Sequence, residues 1–218
     1  MSGSLYYDEC RFIWYFGDDG DFNGRYIYTL TNASKRDLEV LPRNSILKWK
    51  KTEIPKVFTR IIGNSPHQIA SMRYSGHTVR DKISEFFVSK ISEIEFDTQI
   101  VPPLGPGDSI SYENYISTLG SDAEAFDSNG SILGIPSTLP IHNARIECHA
   151  PLGFRFELLS DPFFVDLKGE SKLPEQEWPD SVTQDIQIDQ SGSVMVWSIK
   201  DLPARYRLWT RYRFVTAD

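Results

Sequence analysis

The 218 residues carry a net charge of −7 with 40% hydrophobic and 13% aromatic residues, a composition that excludes a disordered chain and can supply a sizeable core. The stretch Met1 to Asp8 has neither a basic nor a long apolar segment, and no later window is apolar over a membrane-spanning length, so neither secretion nor membrane insertion is expected. Cys10 and Cys148, far apart in sequence, predict two reduced thiols and a soluble, cytoplasmic protein whose sequons at Asn32 and Asn129 carry no glycan.

In chain order, Cys10 to Phe16 alternates, placing Phe12, Trp14 and Phe16 on one face of a strand and Arg11, Ile13 and Tyr15 on the other. Arg25 to Thr31 alternates in the same way. Between them, residues 17–24 are dense in Gly, Asp and Asn, which take turn conformations, so the two segments read as a β-hairpin. Within that loop, Asp19, Asp21 and Asn23 occupy the first, third and fifth positions of a calcium-loop pattern, with Gly24 at the sixth. They are candidate metal ligands. The twelfth position is Leu30 where the pattern requires a bidentate Glu, and a plain hairpin tip accounts for the same letters.

Further strands are expected over 46–50, 56–62, 85–91, 93–101, 109–117, 144–149, 153–160, 184–189, 193–199 and 205–215. The one helical signal is a stub from Ser121 to Phe126, with Ser121 as cap and Glu124 three residues on. Two long loops are expected, 118–142 and 168–183. The first is a possible internal boundary in what otherwise reads as one domain over 1–218. The second carries Trp178, which can anchor an interface or tuck under its own loop.

Two segments resemble parts of immunoglobulin-like domains. The run Pro102-Pro103-Leu104-Gly105-Pro106-Gly107-Asp108, followed by Ile110, Tyr112 and Asn114, is similar to the turn that opens a strand there. Leu202-Pro203-Ala204-Arg205-Tyr206 resembles the turn before a late strand whose Tyr folds back on the preceding corner. The resemblance implies an all-β, immunoglobulin-like antiparallel β-sandwich of roughly nine to twelve strands with long decorated loops. It implies no activity.

Motifs for hydrolysis and nucleotide binding are missing, and no catalytic residue is nominated. Cys148 and His149 suit zinc by type, but on a strand they point to opposite faces and cannot enter one site together. Charge is segregated, with 12 Lys/Arg against 5 Asp/Glu over residues 35–90 and 4 against 18 over 91–199. Such segregation marks a binding face, unless the fold interleaves the two segments. The lysines of the basic part, including Lys48, Lys50 and Lys51, lack a nucleic-acid motif, and the acidic whole speaks against a nucleic-acid partner.

The C-terminal alternation puts Arg205, Arg207, Trp209, Arg211 and Arg213 on one face of a strand, with guanidinium groups about 7 Å apart that repel one another unless answered. Glu93, Glu95 and Asp97 offer an internal answer across paired strands, and an external anion offers another. The sequence therefore predicts a non-enzymatic interaction or sensor module that binds another protein through Trp178 and this ladder. Alternatives are a small anionic ligand, namely a carbohydrate or phosphorylated compound stacked on Trp178 or Trp209, and a metal-assisted enzyme using calcium at Asp19 and Asp21.

Overall fold

The computed structural model describes residues 4–42, 44–47, 56–83, 88–120, 122–136, 138–165 and 171–217, with side chains described for all of these except 44–47, 74–83, 88–95 and 136. The strands are β1 (Leu5–Phe16), β2 (Phe22–Asn32), β3 (Leu38–Val40), β4 (Asn44–Leu47), β5 (Lys56–Ile61), β6 (Gln68–Ile83), β7 (Val88–Leu104) and β8 (Ser109–Thr118), then β9 (Ser131–Pro136), β10 (Ile141–His149), β11 (Phe154–Leu158), β12 (Phe163–Val165), β13 (Thr183–Ile188), β14 (Val194–Leu202) and β15 (Arg207–Thr216). The protein is all-β, and the only helical elements among the described residues are 3₁₀ turns at Ala123–Phe126 and Glu175–Glu177. No described helix is long and apolar enough to cross a membrane.

Seven strands form one sheet in the order β13-β14-β10-β1-β2-β8-β5. A second sheet is built around β15, with β9 on one edge and β11 and β12 along the other. A third is built around β7, which pairs with β6, β3 and β4. Pairing is antiparallel except between β1 and β10, which run parallel from Tyr7 opposite Ile141 to Tyr15 opposite His149.

The inner face of the large sheet carries Phe12, Trp14 and Phe16, the set that alternation places together on one side of β1. Phe12, Trp14 and Phe16 of β1, Ile146 and Cys148 of β10, and Trp197 of β14 pack with Phe156, Leu208, Tyr212 and Phe214 of the second sheet. Phe16 bridges the layers, with its ring 5.3 Å from Phe214 and 5.9 Å from Tyr212. Leu41, Ile100 and Leu104 bring the third sheet into the same core. Each large side chain fully buried in this sandwich contributes about 1.5–3 kcal/mol.

Four strands depart from the sequence reading. The segment 68–83, left unassigned by its pattern, forms β6 and pairs along β7 as one long hairpin. Register shifts between Ile69 and Ser71 and between Tyr74 and Gly76 change the phase of its alternation twice, which hides a period of two. Strand β9 lies inside the expected loop 118–142, where Gly134 reads as a breaker. The short strands β3 and β12 were also unassigned. The expected helical stub is a 3₁₀ turn preceded by Asp122, with no side-chain cap, and Ser121 lies outside the described residues. Parts of the expected strands 46–50 and 85–91 lie outside them too, as do Lys48, Lys50, Lys51 and the start of the 168–183 loop.

Candidate functional site

The hairpin tip is closed by its own backbone, with the Gly17 amide donating to the Asp21 carbonyl at 2.8 Å. Gly20 has φ +80° and packs so tightly on the 3₁₀ turn that a Cβ there would sit 2.2 Å from the Ala123 nitrogen. Two of the three candidate calcium ligands already accept hydrogen bonds. Asp21 Oδ1 takes the Gly120 amide at 2.6 Å, and Asn23 Oδ1 takes the Tyr115 hydroxyl at 3.0 Å. Among the described residues, no group of three or more His, Cys, Asp and Glu side chains is gathered to hold a metal ion. Cys148 turns into the core and His149 to the opposite face.

The C-terminal ladder is built into the second sheet. Arg205 is not part of it: it sits before β15 with φ 72°. Arg213 makes a forked pair with Glu157 on the neighbouring β11, at 2.9–3.0 Å. Arg211 donates to the Asn129 carbonyl at 2.5 Å. The carboxylates expected opposite the ladder are elsewhere, because Glu93, Glu95 and Asp97 lie on β7, which pairs with β3, β4 and β6. Trp209 is only 8% exposed. It faces Gly134 across β9, where an added Cβ would come within 2.0 Å of the indole, so the missing side chain is the space the ring fills.

Trp178 closes over the same surface. Its indole donates to the Leu173 carbonyl at 3.0 Å, its ring meets Phe164 edge-on at 5.5 Å, and it packs on the cluster of Phe163, Val165 and Trp209. Lys172 extends over both Trp178 and Phe163, 5.7 and 5.6 Å from the ring centres. The loop thus covers the Trp209 end of the ladder's face, and both indoles pack against this cluster.

Among the described residues, the most exposed aromatic side chains are on the outer face of the seven-stranded sheet. Phe58 of β5, Tyr15 of β1 and Tyr115 of β8 are 58, 50 and 41% exposed. One row of register partners runs Glu147, Ile13, Arg25, Tyr115, Phe58, and the next runs Arg145, Arg11, Ile27, Glu113, Arg60. Tyr15 stacks on His149 with ring centres 4.5 Å apart.

Charge on this face is arranged around two glutamates. Glu113 is buried and gripped by two arginines, Arg60 at 2.9 and 3.0 Å and Arg25 through Nε and, at 3.3 Å, Nη2. The Arg25 hydrogen bond leads in holding its carboxyl below the ordinary glutamate value, with the Arg60 hydrogen bonds adding to the effect. Glu147 lies 3.1 Å from His149 Nε2 and 3.8 Å from both Arg11 and Arg145.

Alternation had placed Arg11 and Tyr15 together on the reverse of a strand. It could not bring β5, β8 and β10 beside them, because those pairings span dozens of residues of sequence.

No family model matches the chain. No curated protein matches it in sequence. Among solved structures, a provisionally assigned protease from Parabacteroides distasonis is 11% identical, over 95% of this chain and 40% of that one, with a TM-score of 0.45. An M1 zinc metallopeptidase from Deinococcus radiodurans is 10% identical, over 96% of this chain and 42% of that one, with a TM-score of 0.38. The chain thus spans about two fifths of the length of these solved structures.

Proposed function

We propose that this chain is a non-enzymatic protein-interaction module, an immunoglobulin-like sandwich used as a scaffold, whose binding surface is the outer face of the seven-stranded sheet. The observation that carries the reading is the company of Tyr15, Tyr115 and Phe58, three exposed aromatics set among Arg11, Arg25, Arg60 and Arg145. Aromatic and arginine side chains are the residues that anchor protein interfaces, the aromatics because they bury much area while losing few rotamers and the arginines because a planar fork of donors makes several hydrogen bonds at once. Sheet strands hold them in fixed positions, which lowers the ordering cost of binding.

We take residues 1–218 as one folding unit, since one core cluster runs from Tyr7 to Phe214. A reducing, cytoplasmic setting fits two buried, unpaired cysteines. The alternative of a carbohydrate or phosphorylated compound stacked on Trp178 or Trp209 is weakened by the packing of both rings.

The test is site-specific photocrosslinking in lysate from the native source. A photoreactive phenylalanine analogue at position 58 should trap a discrete partner, and Tyr15→Ala with Tyr115→Ala should abolish trapping while the melting temperature stays within a few degrees. Equal trapping by the double variant, or by a probe placed at Leu152 away from this face, would overturn the reading.

A further inference from the structure

The two arginine pairs on the outer face differ in how they are answered. Arg25 and Arg60 both hydrogen-bond Glu113, and that carboxylate is buried between them. Arg11 and Arg145 are direct register partners on the parallel strands β1 and β10, and neighbouring strands lie about 4.8 Å apart. Like charges set side by side on a sheet repel. Glu147 is 3.8 Å from each guanidinium, close enough for Coulomb attraction and too far for a hydrogen bond, and its other oxygen is taken up with His149. Both arginine side chains stay about half exposed, at 48 and 51%.

Resting on the reading of this face as a protein-binding surface, we propose that the Arg11/Arg145 pair receives a carboxylate from an extended, acidic segment of the partner protein. A carboxylate seated between two guanidiniums accepts from both forks and removes their mutual repulsion. Charge complementarity favours this occupant: in a chain of net charge −7, the outer face sets Arg11, Arg25, Lys56, Arg60, Arg145 and Lys200 against Asp8, Glu9, Glu113, Glu147 and Asp185.

The geometry also sets a spacing. Tyr15 and His149, stacked on each other, lie four residues further along the same two strands than Arg11 and Arg145. Four extended residues span about 13 Å. A partner segment lying along β1 with its acidic side chain over the arginine pair therefore brings the residue four positions away over the Tyr15–His149 stack. An aromatic side chain fits there.

The probe is a rhodamine-labelled nonapeptide with Glu at its third position, Tyr at its seventh and Gly or Ser elsewhere, followed by fluorescence anisotropy. It should bind at least about tenfold more tightly than the same peptide with Gln in place of Glu, as expected when charge-assisted hydrogen bonds are lost, and the gap should narrow in 0.5 M salt. Arg11→Gln with Arg145→Gln should bind both peptides alike, with an unchanged melting temperature showing that the variant is folded. Equal affinity for the Glu and Gln peptides, binding of neither, or full discrimination by the double variant would each overturn the proposal. Photocrosslinking at Phe58 separates the two readings. If trapping persists while the peptide fails, the face binds a partner of other chemistry, and if trapping also fails, the face is not the binding surface.

Discussion

Glu113 is the residue whose charge the fold defends most fully, buried on the outer face of the large sheet between Arg25 and Arg60. Its folded carboxyl titrates below the unfolded value of about 4.3, so the unfolded chain takes up that proton first on acidification. The stabilisation is complete above about pH 4.3 and is lost as the pH falls through the lower folded value. Replacing Glu113 with Gln should cost about 1–2 kcal/mol at pH 7, read as a lower urea midpoint. Between pH 5 and pH 3 the variant should lose less stability than the parent, and a parallel decline in both would show that Glu113 is not part of the acid response. The sequence listed Arg25, Arg60 and Glu113 on three segments with nothing to connect them. Only the order β2-β8-β5 makes them neighbours.

At the scale of elements, β9 and β15 show how a residue that reads as a strand breaker can be a requirement of the sheet. Gly134 has an ordinary strand backbone, and its missing side chain is occupied by the indole of Trp209 on the paired strand. Gly134→Ala forces that ring to move, and overpacking of this kind should cost about 1–3 kcal/mol in urea unfolding. The cost should shrink in a Trp209→Leu background, because the smaller side chain vacates the space. An undiminished cost there would assign the glycine a backbone role instead. The same strand pair explains why the ladder was half legible. Alternation correctly separates Arg207, Trp209, Arg211 and Arg213 from Leu208, Tyr212 and Phe214, but the identity of the covering groups depends on β11 and the Trp178 loop.

For the molecule as a whole, the two charge-biased segments are woven together. Arg60, from the basic stretch, meets Glu113 from the acidic one, and Arg73 faces Asp97 across the β6–β7 hairpin. The core is also rich in acids that burial keeps protonated: Tyr7, Tyr26, Tyr28, Tyr112, Tyr212, Cys10 and Cys148 all have pKa values raised chiefly by desolvation. A raised folded value means that the unfolded chain releases these protons first as the pH climbs. Their contribution is complete below about pH 8.5 for the thiols and about pH 10 for the phenols, and is lost as the pH rises above those values. Stability should fall steeply above about pH 10, and the phenolate absorbance of the buried tyrosines should appear together with loss of near-ultraviolet circular dichroism. Ionisation of those tyrosines in a fully native protein would contradict the packing described for them.

What the sequence determined by itself is local and periodic. Alternation of aromatic and polar residues specified most of the strands and, for the first hairpin and the C-terminal strand, how the side chains divide between the two faces, because side-chain direction in a strand reverses at every residue. It also foresaw that Cys148 and His149 would part to opposite faces. What the tertiary structure alone decided is adjacency. The parallel pairing of β1 with β10 sets Arg11 beside Arg145 from opposite ends of the first 150 residues, and β5 carries Phe58 to Tyr115. Strand order and register depend on how whole faces bury one another, a condition no segment can express alone, and so the face proposed to bind is read only from the assembled sheet.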